Sequence, residues 1–553
     1  MQSVKRLKST KHLRLSTNFV EVNFHRTEKE NVSRAAGTVG FYTLLSRILG
    51  LVRDMVLAYF FGSKMAADAF FVAFRIPNLL RRFFAEGSLT IAFIPVFTET
   101  LTRKSKEDAF ELARAVLTLL SLLLVVLTLL GVLLSPWIVR IQAYGFGASG
   151  PKYELTVLLT RITFPYIFLV SLVAFFMGVL NSLRHFAAPA AAPILLNVGI
   201  IAGALCLSPL LSEPIVGVAV GVLIGGILQV LLQIPYVLKK GLSLRPLWMP
   251  EHPAVKKIGL LMLPAIFGSA VYQLNQFIGT LLASFLPQGS ISWLYYADRI
   301  VEFPLGVFAI AISTAALPSL AKQVAGKDLS DFKETLGHAL RLVFFITTPA
   351  AVGMIVLRVP LIEVFFQRGA FDRMTTLMTA EALLFYSLGL WAFSASRVML
   401  SAFYAFQDTK TPVQVATVTM IANALLSLVL MGPLRHGGLA LSLSLSSTVQ
   451  LLLLIFILRG RGDLLDLRSM VFSAGKSLAA SAVMGLVLYD FSGRWLTRGE
   501  PGSFWSLALT LAGVIAAGGV VYFLMAWILR CREFSSILGL CEPLFGKFRR
   551  REK

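Results

Sequence analysis

Charge is scarce in this sequence. Asp, Glu, Lys and Arg make up 14% of its 553 residues, about half the quarter usual in soluble domains, while the hydrophobic set reaches 56%. With a mean hydropathy of +0.76, the chain cannot cover that much apolar surface by folding on itself in water. An ordinary globular protein is excluded, and the solvent is a bilayer. Cysteine is nearly missing: Cys206, Cys531 and Cys541 are too few and too scattered for a disulfide framework or a thiolate metal site. The six histidines have no helical metal-ligand spacing, so no metal and no other cofactor is expected. Neither an Asp-x-Asp nor a Walker motif occurs. That argues against a metal-dependent glycosyltransferase and against ATP as the direct energy source.

Acidic residues are the rarer sign, 29 against 51 basic ones, for a formal net charge of +22. Residues 1–36 are basic and lack the apolar core that a secretory signal needs, so we expect a cytoplasmic extension there. From there to about residue 530, apolar runs long enough to cross about 30 Å of hydrocarbon alternate with short breaks rich in Gly, Pro, Asp and Lys. The fold class expected is an all-α polytopic membrane protein of about fourteen transmembrane helices. Their spans are 37–61, 66–101, 110–142, 153–181, 190–209, 214–238, 256–286, 291–320, 336–358, 376–405, 412–431, 437–458, 469–491 and 503–529. One set of loops carries most of the Lys and Arg, from Lys104 and Lys240 to Lys410 and the basic tail 530–553. By the positive-inside rule both termini are cytoplasmic, and the excess of positive charge needs no nucleic acid.

The two halves of the chain repeat at an offset of about 223 residues. Arg75-Ile-Pro-Asn matches Arg299-Ile-Val-Glu, and the break His185–Pro189 ahead of Asn197 matches Asp408–Pro412 ahead of Asn423. We therefore expect two parallel six-helix lobes, 37–238 and 256–458, with helices 13 and 14 (469–529) as an appendage. That is the plan of an alternating-access transporter.

Ionisable side chains inside spans cost about 2.5–3.5 kcal/mol each on insertion scales and usually face a bundle interior or wet cavity. Here they form stripes. Helix 1 carries Ser46, Arg47, Arg53 and Asp54; helix 2 carries Asp68, Arg75, Asn78, Arg81, Arg82 and Glu86; helix 8 carries Ser292, Asp298, Arg299 and Glu302. Pairing of Arg53 with Asp54, or of Arg82 with Glu86, is the competing structural account. For the whole set basic members outnumber acidic ones, which suits an anion, and a guanidinium can grip phosphate oxygens bidentately. In the second half, 256–286 and 412–458 contain no Asp or Glu. There Asn275, Asn423, Ser427, Ser446 and Thr448 offer at most a weak neutral-oxygen sodium site, with interhelical packing the plainer role.

The run Ser46-Arg-Ile-Leu-Gly-Leu-Val-Arg-Asp54, the run Ala67 to Arg82 with Phe84-Ala-Glu-Gly87, the run Ser290 to Arg299 with Glu302-Phe-Pro304, and Phe406-Gln-Asp-Thr-Lys-Thr-Pro412 closely resemble the MurJ (MviN) family of lipid II flippases. This family belongs to the multidrug/oligosaccharidyl-lipid/polysaccharide (MOP) exporter superfamily. The resemblance covers about 32–530. It implies fourteen helices in two lobes, a groove by helices 13 and 14 for a polyprenyl tail, a place in the bacterial inner membrane, and a role in peptidoglycan biosynthesis. Implied partners are lipid II, membrane lipid and, as candidates, cell-wall synthesis proteins.

Carried over by motif, the family's cavity arginines fall on Arg47, Arg53, Arg81 and Arg299, with Ser46, Asp54, Asp68, Asn78, Glu86 and Ser292 in support and Asn197 as a weaker member. Spacing alone does not separate Arg81 from Arg82; the resemblance chooses Arg81. The function expected is translocation of the lipid-linked precursor without bond chemistry. The alternatives are an exporter of the same superfamily for another polyprenyl-linked glycan or a drug, and a membrane-embedded glycosyltransferase.

Overall fold

The computed structural model describes residues 37–81, 89–493 and 504–535. The basic extension 1–36 and most of the basic tail lie outside that range. Every regular element among the described residues is helical, and ten helices are long and apolar enough to cross a membrane. The helices run in chain order as α1 (37–61), α2 (Met65–Arg81), α3 (Leu89–Arg103), α4 (Lys106–Leu133), α5 (Ser135–Gln142), α6 (Pro151–Thr163), α7 (Tyr166–Ser182), α8 (Ala187–Ala202) and α9 (Ile215–Lys239). The second half holds α10 (Pro253–Ser284), α11 (Ser290–Pro304), α12 (Ile310–Ala325), α13 (Leu329–Val356), α14 (Arg358–Phe366), α15 (Arg373–Ala405), α16 (Lys410–Arg459), α17 (Leu467–Phe491) and α18 (Phe504–Ile528).

Most departures from the expected spans have local causes. The span 110–142 breaks at Leu134, where Ser135 and Pro136 begin a new helix. The span 153–181 breaks at Pro165, which cannot donate to the helical ladder. Helix α13 begins seven residues before the expected 336 because Asp328 accepts from the Asp331 amide, and α15 begins early because Asp372 accepts from the Thr375 amide.

Helix α16 looks continuous over 50 residues, yet Arg435 within it has φ 48° and ψ −127°. Ser446 Oγ lies 3.5 Å from Asn423 Oδ1. In a straight helix those 23 intervening steps would put them about 35 Å apart. The chain therefore doubles back at Arg435, so that 410–434 and 436–459 run as two helices.

Two helix ends close in the same way. Arg184 and Gln407 both adopt left-handed φ, 57° and 58°. After each, the next amide reaches five residues back: His185 to Leu180 at 2.8 Å, Asp408 to Phe403 at 3.0 Å. The same turn recurs with different chemistry. His185 is stacked on Tyr236, and burial, then Lys240, pushes its imidazole below the usual range. Asp408 accepts from the amide and hydroxyl of Thr411 and pairs with Arg461. Partial burial pushes its carboxyl up, but those contacts outweigh it and hold the pKa at about 2.

The chain divides into two compact units. The first comprises Met1–Arg53, Leu80–Leu130 and Ile162–Ile266; the second comprises Asp54–Leu79, Gly131–Arg161 and Phe267–Lys553. In the first, α8 and α9 pack through glycine. A Cβ on Gly221 would fall 2.5 Å from the Gly199 carbonyl oxygen, and one on Gly199 would fall 2.5 Å from the Gly225 Cα. This is the small-residue interface that lets backbones approach where no water drives association. Phe93 and Phe175 fill the space beside it, ring centres 5.0 Å apart. In the second unit, Leu320, Phe332, Leu340, Met399, Phe403 and Leu458 belong to one buried apolar core.

Gly221→Ala is expected to lower the melting temperature of the purified chain, an overpacking cost of about 1–3 kcal/mol. Gly353→Ala, within α13 with nothing inside 4 Å of the added carbon, should be neutral or stabilising by up to about 1 kcal/mol. Thermal unfolding in detergent compares the two; equal losses would contradict the packing described.

Candidate functional site

The expected site residues fall in both units, and each unit builds its own arrangement. In the first, α1 carries Arg53 against α8. Asn197, buried, donates from Nδ2 to the Ser46 carbonyl at 3.1 Å, which turns its oxygen outward to accept from Arg53 Nη1 at 3.1 Å. The amide therefore helps to aim the guanidinium. Arg47 is exposed on the same helix. Ser46 contributes its carbonyl to this arrangement. Arg81 closes α2, with only its backbone described, and Glu86 and Arg82 lie outside the described residues.

In the second unit, Asp68 is the organising group. It is 1% exposed, and each carboxylate oxygen accepts two bonds. Oδ1 takes the Ser292 amide at 3.0 Å and the Ser292 hydroxyl at 2.7 Å. Oδ2 takes the Gly289 amide and Lys152 Nζ, both at 2.8 Å. Asp68 thus caps the N-terminus of α11 from another helix, where a negative charge also meets the positive end of the helix dipole. Gly289, φ 97°, is required at this turn because a Cβ would come 2.7 Å from the Trp293 ring. The resemblance puts Asp68 and Ser292 in support of the arginines, and here the two are buried and bonded to each other.

Farther along α11, Tyr295 stacks on Phe71 with ring centres 3.9 Å apart and donates to Asp54 Oδ1 at 3.0 Å. Arg299 lies over the Tyr295 ring, 4.7 Å from its centre. Its Nε approaches Asp54 Oδ2 at 3.6 Å, and its Nη1 binds Glu302 Oε2 at 2.6 Å. Asp54 is thus held by α11, although Arg53 is its chain neighbour. Arg75 donates to the Gln276 carbonyl at 3.3 Å and to the Thr280 hydroxyl, joining α2 to α10. Asn78, one turn farther along α2, is half-buried.

Tyr295 and Lys152 escaped the sequence reading. Tyr295 had a signal, since it sits three residues after Ser292 and four before Arg299, on the same helix face. Lys152 had none, because its partner is 84 residues away.

The neutral-oxygen group of the second half is engaged in packing. Asn423 Nδ2 donates to Asn275 Oδ1 at 2.9 Å, and Ser446 lies against Asn423. Among the described residues no cluster of three or more His, Cys, Asp or Glu is arranged to hold a metal.

Asp68→Asn is expected to lower thermal stability sharply, because removing one partner of a buried, hydrogen-bonded ion pair costs about 3–5 kcal/mol. Lys152→Gln, at the 20% exposed partner, should cost much less. Melting curves of the two variants in detergent test this; small, equal losses would mean that Asp68 does not hold α11.

Comparison with known proteins agrees with this architecture. The family profile described as "Lipid II flippase MurJ" matches residues 57–510. A Vibrio cholerae protein named "Probable lipid II flippase MurJ" is 38% identical over 519 residues, covering 92% of this chain and 98% of the relative. A Burkholderia cenocepacia "Lipid II flippase MurJ" is 37% identical over 509 residues, 90% and 98% of the two chains. Among solved structures, a lipid II flippase MurJ in an inward closed conformation superposes with a TM-score of 0.75 at 30% identity, covering 89% of this chain and 98% of that one. An inward-facing multidrug transporter of the MATE family and MOP superfamily shares the fold, with a TM-score of 0.65 at 15% identity over 75% and 94% of the chains. On the profile match and on identity across nearly the whole length, this chain belongs to the lipid II flippase MurJ family.

Proposed function

We propose that the chain moves lipid II, the undecaprenyl-pyrophosphate-linked peptidoglycan precursor, from the inner to the outer leaflet of the bacterial cytoplasmic membrane by alternating access, making and breaking no bond. The observation that carries this reading is 38% identity over 92% of the chain to a relative named for that activity. The fold of the MATE-family exporter supports transport in general.

The reading includes fourteen membrane crossings. The ten spans, with α16 folded back into two, plus α1, the pair α2 and α3, and α10, add up to that number. An even count with the loop-charge bias keeps both termini, 1–36 and 530–553, in the cytoplasm. The lobes are 37–238 and 256–458, and helices 469–529 form the groove for the polyprenyl tail.

In this mechanism Arg47, Arg53, Arg81 and Arg299 hold the pyrophosphate. Arg53 is aimed in part by Asn197, a neutral partner. Arg299 has to exchange one carboxylate for the phosphate. Glu302, 46% exposed, is the one that can swing away, while Asp54 at 1% stays and keeps the guanidinium in place. Asp68 and Ser292 tie a helix of the first half of the chain to one of the second half, and opening that side requires their bonds to break.

Voltage can drive the cycle. An inside-negative potential favours outward movement of the anionic headgroup by roughly 2.3 kcal/mol per elementary charge per 100 mV. After release, the surplus positive charge of the empty cavity is drawn back toward the cytoplasm. The mutual pairing of Asn275, Asn423 and Ser446 favours this over a tightly bound sodium ion.

Arg53→Ala and Arg299→Ala are each expected to abolish complementation of a strain lacking its flippase, with Lys replacements rescuing poorly because they lack the bidentate fork. Growth supported by both Ala variants would remove the arginine site. In proteoliposomes, a potassium-diffusion potential negative on the cytoplasm-facing side should speed net export of lipid-linked precursor without a pH or sodium gradient, and reversing it should slow export. Transport that ignores voltage but follows sodium would instead assign coupling to the neutral oxygens.

A further inference from the structure

The ends of α13, α17 and α18, all in the second unit, line a cavity of about 540 Å³; the transport reading gives α17 and α18 a groove for the lipid tail but gives this cavity no role. Its floor is a buried ion pair. Glu533, 3% exposed, meets Arg341 Nε at 3.3 Å and accepts from Ser473 Oγ at 2.9 Å. Asp466, the other carboxylate at the cavity, is engaged as the N-cap of α17, accepting from the Ser469 amide at 3.1 Å. Both negative groups are therefore occupied.

The positive groups are not all matched. Lys476 donates to the Arg530 carbonyl at 3.4 Å and lies 4.9 Å from the Phe472 ring centre, so its ammonium is held at the wall. Arg468, Arg530 and Arg532 line the cavity, are exposed, and have no carboxylate partner among the described residues. The backbone presents them deliberately. Arg530, φ 52°, ends α18 in a left-handed turn, and the Cys531 amide reaches back to the Ala526 carbonyl at 2.9 Å. Five basic side chains thus face two acidic ones, next to the first turn of α17, whose dipole also favours an anion.

Phe472, on the cavity wall, is 67% exposed; Trp527, 63% exposed, sits in the last turn of α18, and both helices are apolar enough to cross the membrane. Tryptophan at a helix end marks the level where headgroups meet hydrocarbon. A soluble anion needs no such neighbours, whereas a lipid with a phosphate offers charge to the arginines and chains to the aromatic side chains.

We propose that this cavity binds the phosphate of a membrane lipid. An anionic phospholipid and a polyprenyl pyrophosphate share that chemistry. The inference requires only that the chain spans a membrane, and its test measures binding rather than translocation, so it stands or falls apart from the transport reading.

The experiment uses the full chain in nanodiscs and detergent. Retention of phosphatidylglycerol, undecaprenyl pyrophosphate and inorganic phosphate is measured by native mass spectrometry and lipid-dependent thermal shift. Combined Arg468→Gln, Arg530→Gln and Arg532→Gln should weaken binding of at least one lipid probe by about tenfold or more. Combined Lys239→Gln, Lys322→Gln and Arg459→Gln, exposed elsewhere, should not. A response to phosphatidylglycerol alone assigns the cavity to phospholipid; a response to the pyrophosphate alone assigns it to the carrier lipid. If the triple variant does not purify, Arg532→Glu alone should cost about threefold. Unchanged lipid binding, or inorganic phosphate held as tightly as the lipids, overturns the proposal.

Discussion

The buried carboxylate of Asp68 is the constraint on which the second unit's arrangement depends. Away from water, an ionised group survives only if every acceptor site is answered, and here four donors answer it: two backbone amides, a hydroxyl and an ammonium. Two of the donors are the amides of Gly289, the N-cap of α11, and of Ser292 in its first turn, so satisfying the charge and starting that helix are one event. The start of α11 sets the azimuth of everything after it. Tyr295 then lands on Phe71 and Asp54, and Arg299 lands over Tyr295 between two carboxylates.

The arginines of the two units are prepared in different ways. Arg53 is oriented in part by a neutral amide that is itself oriented by a carbonyl. Arg299 is oriented by an aromatic face and a buried carboxylate, with an exposed carboxylate as a removable third partner. For an anion, the second arrangement makes binding an exchange, in which affinity is set by the difference between Glu302 and the ligand.

Helix packing follows a separate rule from the charges. Between α8 and α9 the contact is made by Gly199, Gly221 and Gly225, since in hydrocarbon close backbone approach replaces the hydrophobic effect as the source of association. In the buried core of the second unit, Phe332, Leu340 and Phe403 interdigitate at full burial, as large side chains do elsewhere.

Much of this was legible in the chain itself. Apolar run length and scarce charge determined a helical membrane protein, because hydrocarbon thickness and the need to satisfy every backbone group leave few alternatives. Spacing of three, four and seven placed Arg53, Asp68, Ser292 and Arg299 on polar faces, because a helix face is a local property. The double helix in 410–459 was also readable, from Gly, Pro and His around residue 435. Only the tertiary structure decided partners. Asp68 with Ser292 and Lys152, Asp54 with Tyr295 and Arg299, and Glu533 with Arg341 join residues from 84 to 245 positions apart. Periodicity says which face of a helix is polar; it carries no information on which face of which other helix will meet it, and a buried charge takes its role from that meeting.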